Sequence, residues 1–157
     1  MKIIIYLSLV LVAVLSCHSD SKENLNKEAS VQKNDGLAEN PLLMTPITSS
    51  IQPKDSTMST LYGNQIAEKY AKNNSASQYP EGAVLYEVTW KQKPDELWYG
   101  ANVPKDIFSV EKITFQNNGK CNYEIYKGNP LQRQQTNEKN EIPRITFITG
   151  QKMAVSP

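Results

Sequence analysis

Of the thirteen aromatic side chains in this 157-residue chain, twelve lie beyond residue 57; the other is Tyr6. Aromatic side chains bring the largest apolar area per residue to a core, so this asymmetry constrains where a core can be built. Residues 18–57 are rich in Ser, Asn, Lys, Glu and Asp, with Pro41, Pro46 and Pro53 and no Phe, Trp or Tyr. Such a segment buries too little surface to offset its ordering entropy. The composition therefore predicts a disordered tether over 17–57, with Leu42-Leu43-Met44 as a solvated patch, and one folded unit over 58–157. As a flexible coil, the tether reaches roughly 35 Å root-mean-square.

The head of the chain reads as an address. Lys2 precedes an apolar run that closes on Ser16, the pattern of a secretory signal over 1–16, and the run is short of the ~20 residues that span a membrane. Val14-Leu15-Ser16-Cys17 resembles a bacterial lipobox, in which Cys17 becomes the lipidated first residue; Leu15 stands where a smaller residue is more usual. A plain N-terminal membrane anchor with an incidental Cys is the less favoured reading. The expected location is the cell envelope, lipid-anchored outside the cytoplasm on the periplasmic or surface side.

Seventeen basic residues against sixteen acidic ones leave no electrostatic footprint for nucleic acid. His18 is the single histidine and would sit beside the lipid. With Cys17 acylated, Cys121 stands alone. A zinc site needs more of both residues than the chain holds, a His-dependent triad would have only His18, outside the folded unit, and no metal site is expected.

Within the folded unit, Ser56 or Thr57 can cap a helix from Met58, with Tyr62, Ile66 and Tyr70 at a spacing of four. Gly63 weakens that helix by about 1 kcal/mol unless something packs closely against it. Tyr79-Pro80-Glu81-Gly82 is turn chemistry. Val84, Tyr86, Val88 and Trp90 alternate with Leu85, Glu87, Thr89 and Lys91, the period of a half-buried strand. Leu97 to Val103 and Ser109 to Gln116 follow as strands separated by Pro104, and Asn117-Asn118-Gly119 joins the latter to a strand over Cys121 to Tyr126. The stretch from Ile142 to Met153 suits a helix better than a strand. These elements predict an α+β domain, a mainly antiparallel β-sheet with flanking N- and C-terminal helices. Open sheet edges in so small a unit would gain from pairing into a homodimer.

Catalytic chemistry is thinly supplied. Glu81, Glu87, Asp95, Glu96, Asp106, Glu111 and Glu124 are the mid-chain carboxylates, but no spacing singles out a pair, and solvated strand faces account for such charges. Cys121 has no histidine to activate it and reads as a small buried hydrophobe. No catalytic residue is assigned. Trp90, Trp98 and Tyr99 form the candidate ligand pocket, suited to a flat apolar ligand; the alternative is that they simply build the core.

Met58-Ser59-Thr60-Leu61-Tyr62-Gly63-Asn64, Tyr79 to Leu85, Val88-Thr89-Trp90, Leu97 to Pro104, the Tyr-x-x-Tyr-x-Gly-x-Pro-Leu order from Tyr123 to Leu131, and Arg144 to Pro157 together resemble the cytochrome P-460 domain. The resemblance implies a mainly antiparallel β-structure with flanking helices. It also implies a haem context: haem-bearing members attach c-type haem through Cys-x-x-Cys-His, and some oxidise hydroxylamine or bind nitric oxide. Here Cys121 is followed by Asn122, Tyr123, Glu124 and Ile125, without the second cysteine or the histidine. No cofactor is therefore expected from the residues, and haem enters only through the resemblance. The reading is a lipid-anchored cell-envelope protein, non-catalytic, whose domain takes a small apolar ligand or an envelope protein partner. The alternative is a redox protein holding haem non-covalently through Tyr, Lys or Met.

Overall fold

The structure, a computed structural model, describes residues 26–73 and 78–153. The secretory signal over 1–16 and Cys17 lie outside the described residues.

Six strands form one antiparallel sheet in sequential order: β1 (Thr45–Gln52), β2 (Thr57–Gly63), β3 (Val84–Pro94), β4 (Asn102–Phe115), β5 (Cys121–Lys127) and β6 (Gln132–Gln134). Among the described residues two α-helices complete it, α1 (Gln65–Asn73) and α2 (Glu138–Thr149). The fold is α+β as expected, with one helix near each end of the domain.

Period-two alternation along β3 divides the core. Leu85 faces one side, where it joins Ile47, Leu61, Ile113, Phe115 and Tyr123 beneath Ala67 of α1 and Ile148 of α2. Tyr86, Val88 and Trp90 face the other side and pack with Val110, Tyr126 and Leu131. The second face is closed by the segment before β1, through Ala29, Leu37, Leu42 and Met44.

That segment is the main departure from expectation. Residues 26–57 belong to the fold: Pro41 is buried, Ile47 is 2 % exposed, and β1 pairs with β2 from Thr45↔Gly63 to Gln52↔Thr57. The composition argument fails because the segment need not supply a core of its own. It covers aromatics from β3 and β5, and its polar residues bind the sheet. The Trp90 indole N–H donates to the Ala29 carbonyl at 2.8 Å, and the Tyr86 hydroxyl to Glu39 at 2.8 Å. Asp35 accepts the Leu131 N–H at 2.8 Å, and Asn26 Nδ2 donates to the Pro104 carbonyl at 2.8 Å.

The helix expected from Met58 is also corrected. Residues 57–63 form β2, and the helix begins at Gln65. The spacing of four across Tyr62, Ile66 and Tyr70 straddles a strand–helix joint: Tyr62 packs toward the second face and Tyr70 toward the first. Asn64 makes the joint. Its Oδ1 accepts the Ala67 N–H at 3.0 Å as a helix cap, while its Nδ2 donates to the Gly82 carbonyl at 2.8 Å. Gly63 sits where something does pack closely: a Cβ there would stand 2.7 Å from Ile47 Cδ1 and 2.9 Å from the Ala67 Cβ. Further on, β4 runs unbroken through Pro104, which lies opposite Gln92, so the strand expected over Leu97 to Val103 is instead mostly the turn between β3 and β4. The C-terminal helix forms, over Glu138–Thr149 where Ile142 to Met153 was expected, capped by Asn137 with Glu138 and Glu141 in its first turn, the end where the helix dipole favours acids.

Candidate functional site

The helices cover only part of the first face. Beyond the apolar cluster the same face turns polar and opens into a groove of ≈ 1020 Å³. Its floor carries Ser59 of β2, Glu87 and Thr89 of β3, and Ser109 and Glu111 of β4; Tyr123 and Ile125 of β5, Phe108, and Arg144 and Phe147 of α2 contribute to the walls.

Glu87 and Glu111 are direct cross-strand partners, and they are 1 % and 3 % exposed. Two carboxylates so placed are costly unless paired or protonated, and the fold treats them differently. Glu111 receives a two-pronged contact from Arg144, with Nε to Oε1 at 2.8 Å and Nη2 to Oε2 at 2.5 Å. The Tyr123 hydroxyl also donates to Glu111 Oε1. Burial and this acceptor push the Tyr123 hydroxyl well above its usual range, and the bond to Glu111 raises Arg144. Among the described residues Glu87 receives neutral donors, Gln151 Nε2 at 3.0 Å and the Ser59 hydroxyl. Desolvation raises its carboxyl pKa, the two hydrogen bonds and Arg144 oppose the rise, and Glu111 adds to it. The site therefore holds two acids and one committed cation, and Glu87 is the acid with no cation bonded to it among the described residues.

The three residues expected to form a pocket do not come together. Trp90 is buried under the N-terminal segment at 6 % exposure, while Trp98 and Tyr99 stand in solvent at the β3–β4 turn, 71 % and 109 % exposed. Trp90 thus follows the core alternative, and neither reading anticipated the exposure of the other two. Cys121 is half-buried against the first apolar cluster, and burial pushes its thiol up, which makes it a poor nucleophile. A second recess of ≈ 960 Å³ lies between the N-terminal segment and β4–β5, lined by Lys27, Lys91, Lys105, Lys127 and others; its ion pair Lys91–Asp106 is solvent-exposed at 3.4 Å. Among the described residues, no group of three or more His, Cys, Asp or Glu is placed to hold a metal ion.

Sequence reasoning named Glu87 and Glu111 only among seven carboxylates. The missing signal was register, which depends on the lengths of β3 and β4 and on the bulges near Trp90.

A six-stranded antiparallel meander with a helix near each end and a groove on one face defines the class. Within it, a family model of cytochrome P460 matches residues 43–142, and the chain belongs to the cytochrome P460 family. Among curated proteins, no relative matches the chain.

The family implies haem, and the groove can be tested for it. Covalent haem c asks for two thiols and an axial donor. The described residues contain one cysteine, placed in the apolar cluster and not in the groove lining, and no histidine. Tyr123, the groove's tyrosine, is already bonded to Glu111. The described groove does not fit haem c.

Proposed function

We propose that the protein is a lipid-anchored component of the cell envelope whose cytochrome P460 domain is a non-catalytic ligand-binding module. The anchor reading rests on the order Val14-Leu15-Ser16-Cys17 behind an apolar run. The ligand reading rests on Glu87: a nearly fully buried acid at the groove floor, beside an arginine already engaged by Glu111. A ligand that brings hydrogen-bond donors or a positive charge to Glu87 supplies what the groove lacks. The walls at Phe108, Ile125 and Phe147 accept an apolar body, so the best-fitting ligand is small and amphipathic.

Melting temperatures of the full chain with ethanolamine, choline and putrescine test the groove. A stabilisation by one or more of them that Glu87→Gln abolishes is the expected result; no shift, or the same shift in both proteins, overturns it. The mass of the N-terminal peptide tests the anchor, expected to show acylation of Cys17 that is lost in Cys17→Ser. Family membership supports a second reading, haem held without covalent bonds in a redox role related to hydroxylamine or nitric oxide. A saturable Soret band at one equivalent of added haem would establish it, and a flat titration would remove it.

A further inference from the structure

The turn between β3 and β4 carries Leu97, Trp98 and Tyr99 at 88 %, 71 % and 109 % exposure. Three consecutive large apolar side chains facing water are unusual on a soluble surface. They are held out by a hydrogen-bonded turn: the Asp95 carboxylate accepts the Leu97 N–H at 2.8 Å, the Asp95 N–H donates to the Ala101 carbonyl at 2.9 Å, and the Ala101 N–H donates to the Trp98 carbonyl at 3.0 Å. Gly100 completes the turn at φ +81°, with nothing within 4 Å of where a Cβ would stand.

We propose that this tip docks on a lipid bilayer, seating Leu97, Trp98 and Tyr99 in the interfacial layer of the membrane that anchors the chain. Two observations orient it. Asn26, where the described chain begins, is bonded to the Pro104 carbonyl. Pro104 lies two residues from Asn102, whose ladder partner Pro94 closes the hairpin, so the residue that holds Asn26 is about 7 Å from the base of the tip at the rise of an antiparallel strand. Cys17 precedes Asn26 by nine residues, a span of at most about 30 Å. Asn26 and the apolar tip thus lie at the same end of the domain. Trp and Tyr favour the layer between headgroups and acyl chains, where the ring is sheltered and its polar atom stays wet. Near the tip, Lys91, Lys93 and Lys105 stand against Asp95, Glu96 and Asp106, three charges of each sign, so apolar burial and not headgroup charge drives the contact.

The orientation rests on the anchor reading above, and the test keeps the two separate. The full-length lipoprotein is reconstituted into phosphatidylcholine vesicles with and without brominated acyl chains, and tryptophan emission is recorded. Trp90 and Trp98 are the chain's two tryptophans, and Trp90 is buried. Brominated lipid should quench about half of the emission, equally in 0.1 M and 0.5 M salt, and the quenching should vanish in Trp98→Phe. Equal quenching in wild type and Trp98→Phe, or none in vesicle-bound protein, overturns docking and leaves the anchor standing. Quenching of Trp98 in protein whose Cys17 carries no acyl group keeps docking and removes the anchor. Trp98 emission that shifts in native envelope membranes but not in pure lipid assigns the tip to a protein and overturns the proposal.

Discussion

Replacing Arg144 with Leu removes both donors from a carboxylate that stays buried. Glu111 is 3 % exposed and keeps only the Tyr123 hydroxyl. Stranding a buried charge costs about 3–5 kcal/mol. The Arg144 side chain is 41 % exposed, so water can enter where it lay, and the expected loss falls to about 2–3 kcal/mol. At about 4 °C per kcal/mol for a domain of this size, the melting temperature should drop by about 8–12 °C. Leu matches Arg in helix propensity, so α2 itself is not penalised. Glu111→Gln in the Arg144→Leu background removes the stranded charge and retains the Tyr123 bond, and it should recover about half of the loss. Urea denaturation followed by tryptophan emission measures all three proteins. An Arg144→Leu midpoint equivalent to within about 0.5 kcal/mol of wild type, or a double variant weaker than the single, would refute this account of the site.

Gly63→Ala should destabilise by about 1–3 kcal/mol through overpacking against Ile47 and Ala67, with partial relief from a second change, Ile47→Val, that removes the clashing Cδ1; thermal melts read both. Glu87 gives a pH signature. Its carboxyl pKa is raised on folding above an ordinary value of 4.5, so its contribution is fully present below that value and is lost as pH rises through the raised one. Glu87→Gln, which mimics the protonated acid, should flatten that decline in a series of melts from pH 4 upward. A fragment starting at Met58 lacks β1 and the cover over Trp90, and near-ultraviolet circular dichroism should find no fixed tertiary packing in it, whereas a fragment starting at Asn26 should retain the native signal.

Alternation and turn chemistry made the middle of the sheet legible. Val84 to Lys91 reads as a strand, and Asn117-Asn118-Gly119 marks the β4–β5 connection. Those signals are local. β1 was hidden because an edge strand of Ser, Thr and Gln, stabilised by rungs such as Ser49–Thr60 and Ser50–Ser59 at 2.9 Å, looks in composition like a linker. Glu87 was read as solvent-facing because it alternates with apolar neighbours. That inference holds for a sheet with one face in water, and here Gln151 and Arg144 lie over Glu87 on the first face. Trp98 and Tyr99 resemble core residues by type, and only the position of the turn places them outside.

The segment that closes the second face is synthesised before the sheet it covers and can settle only late. Its bonds span 78 residues from Asn26 to Pro104 and 96 from Asp35 to Leu131. Until β5 and Leu131 exist there is nothing complete for it to cover, so Tyr86, Val88 and Trp90 spend the interval exposed. Such long-range closure slows folding, and it makes the unclosed sheet, more than the unfolded chain, the species that aggregates.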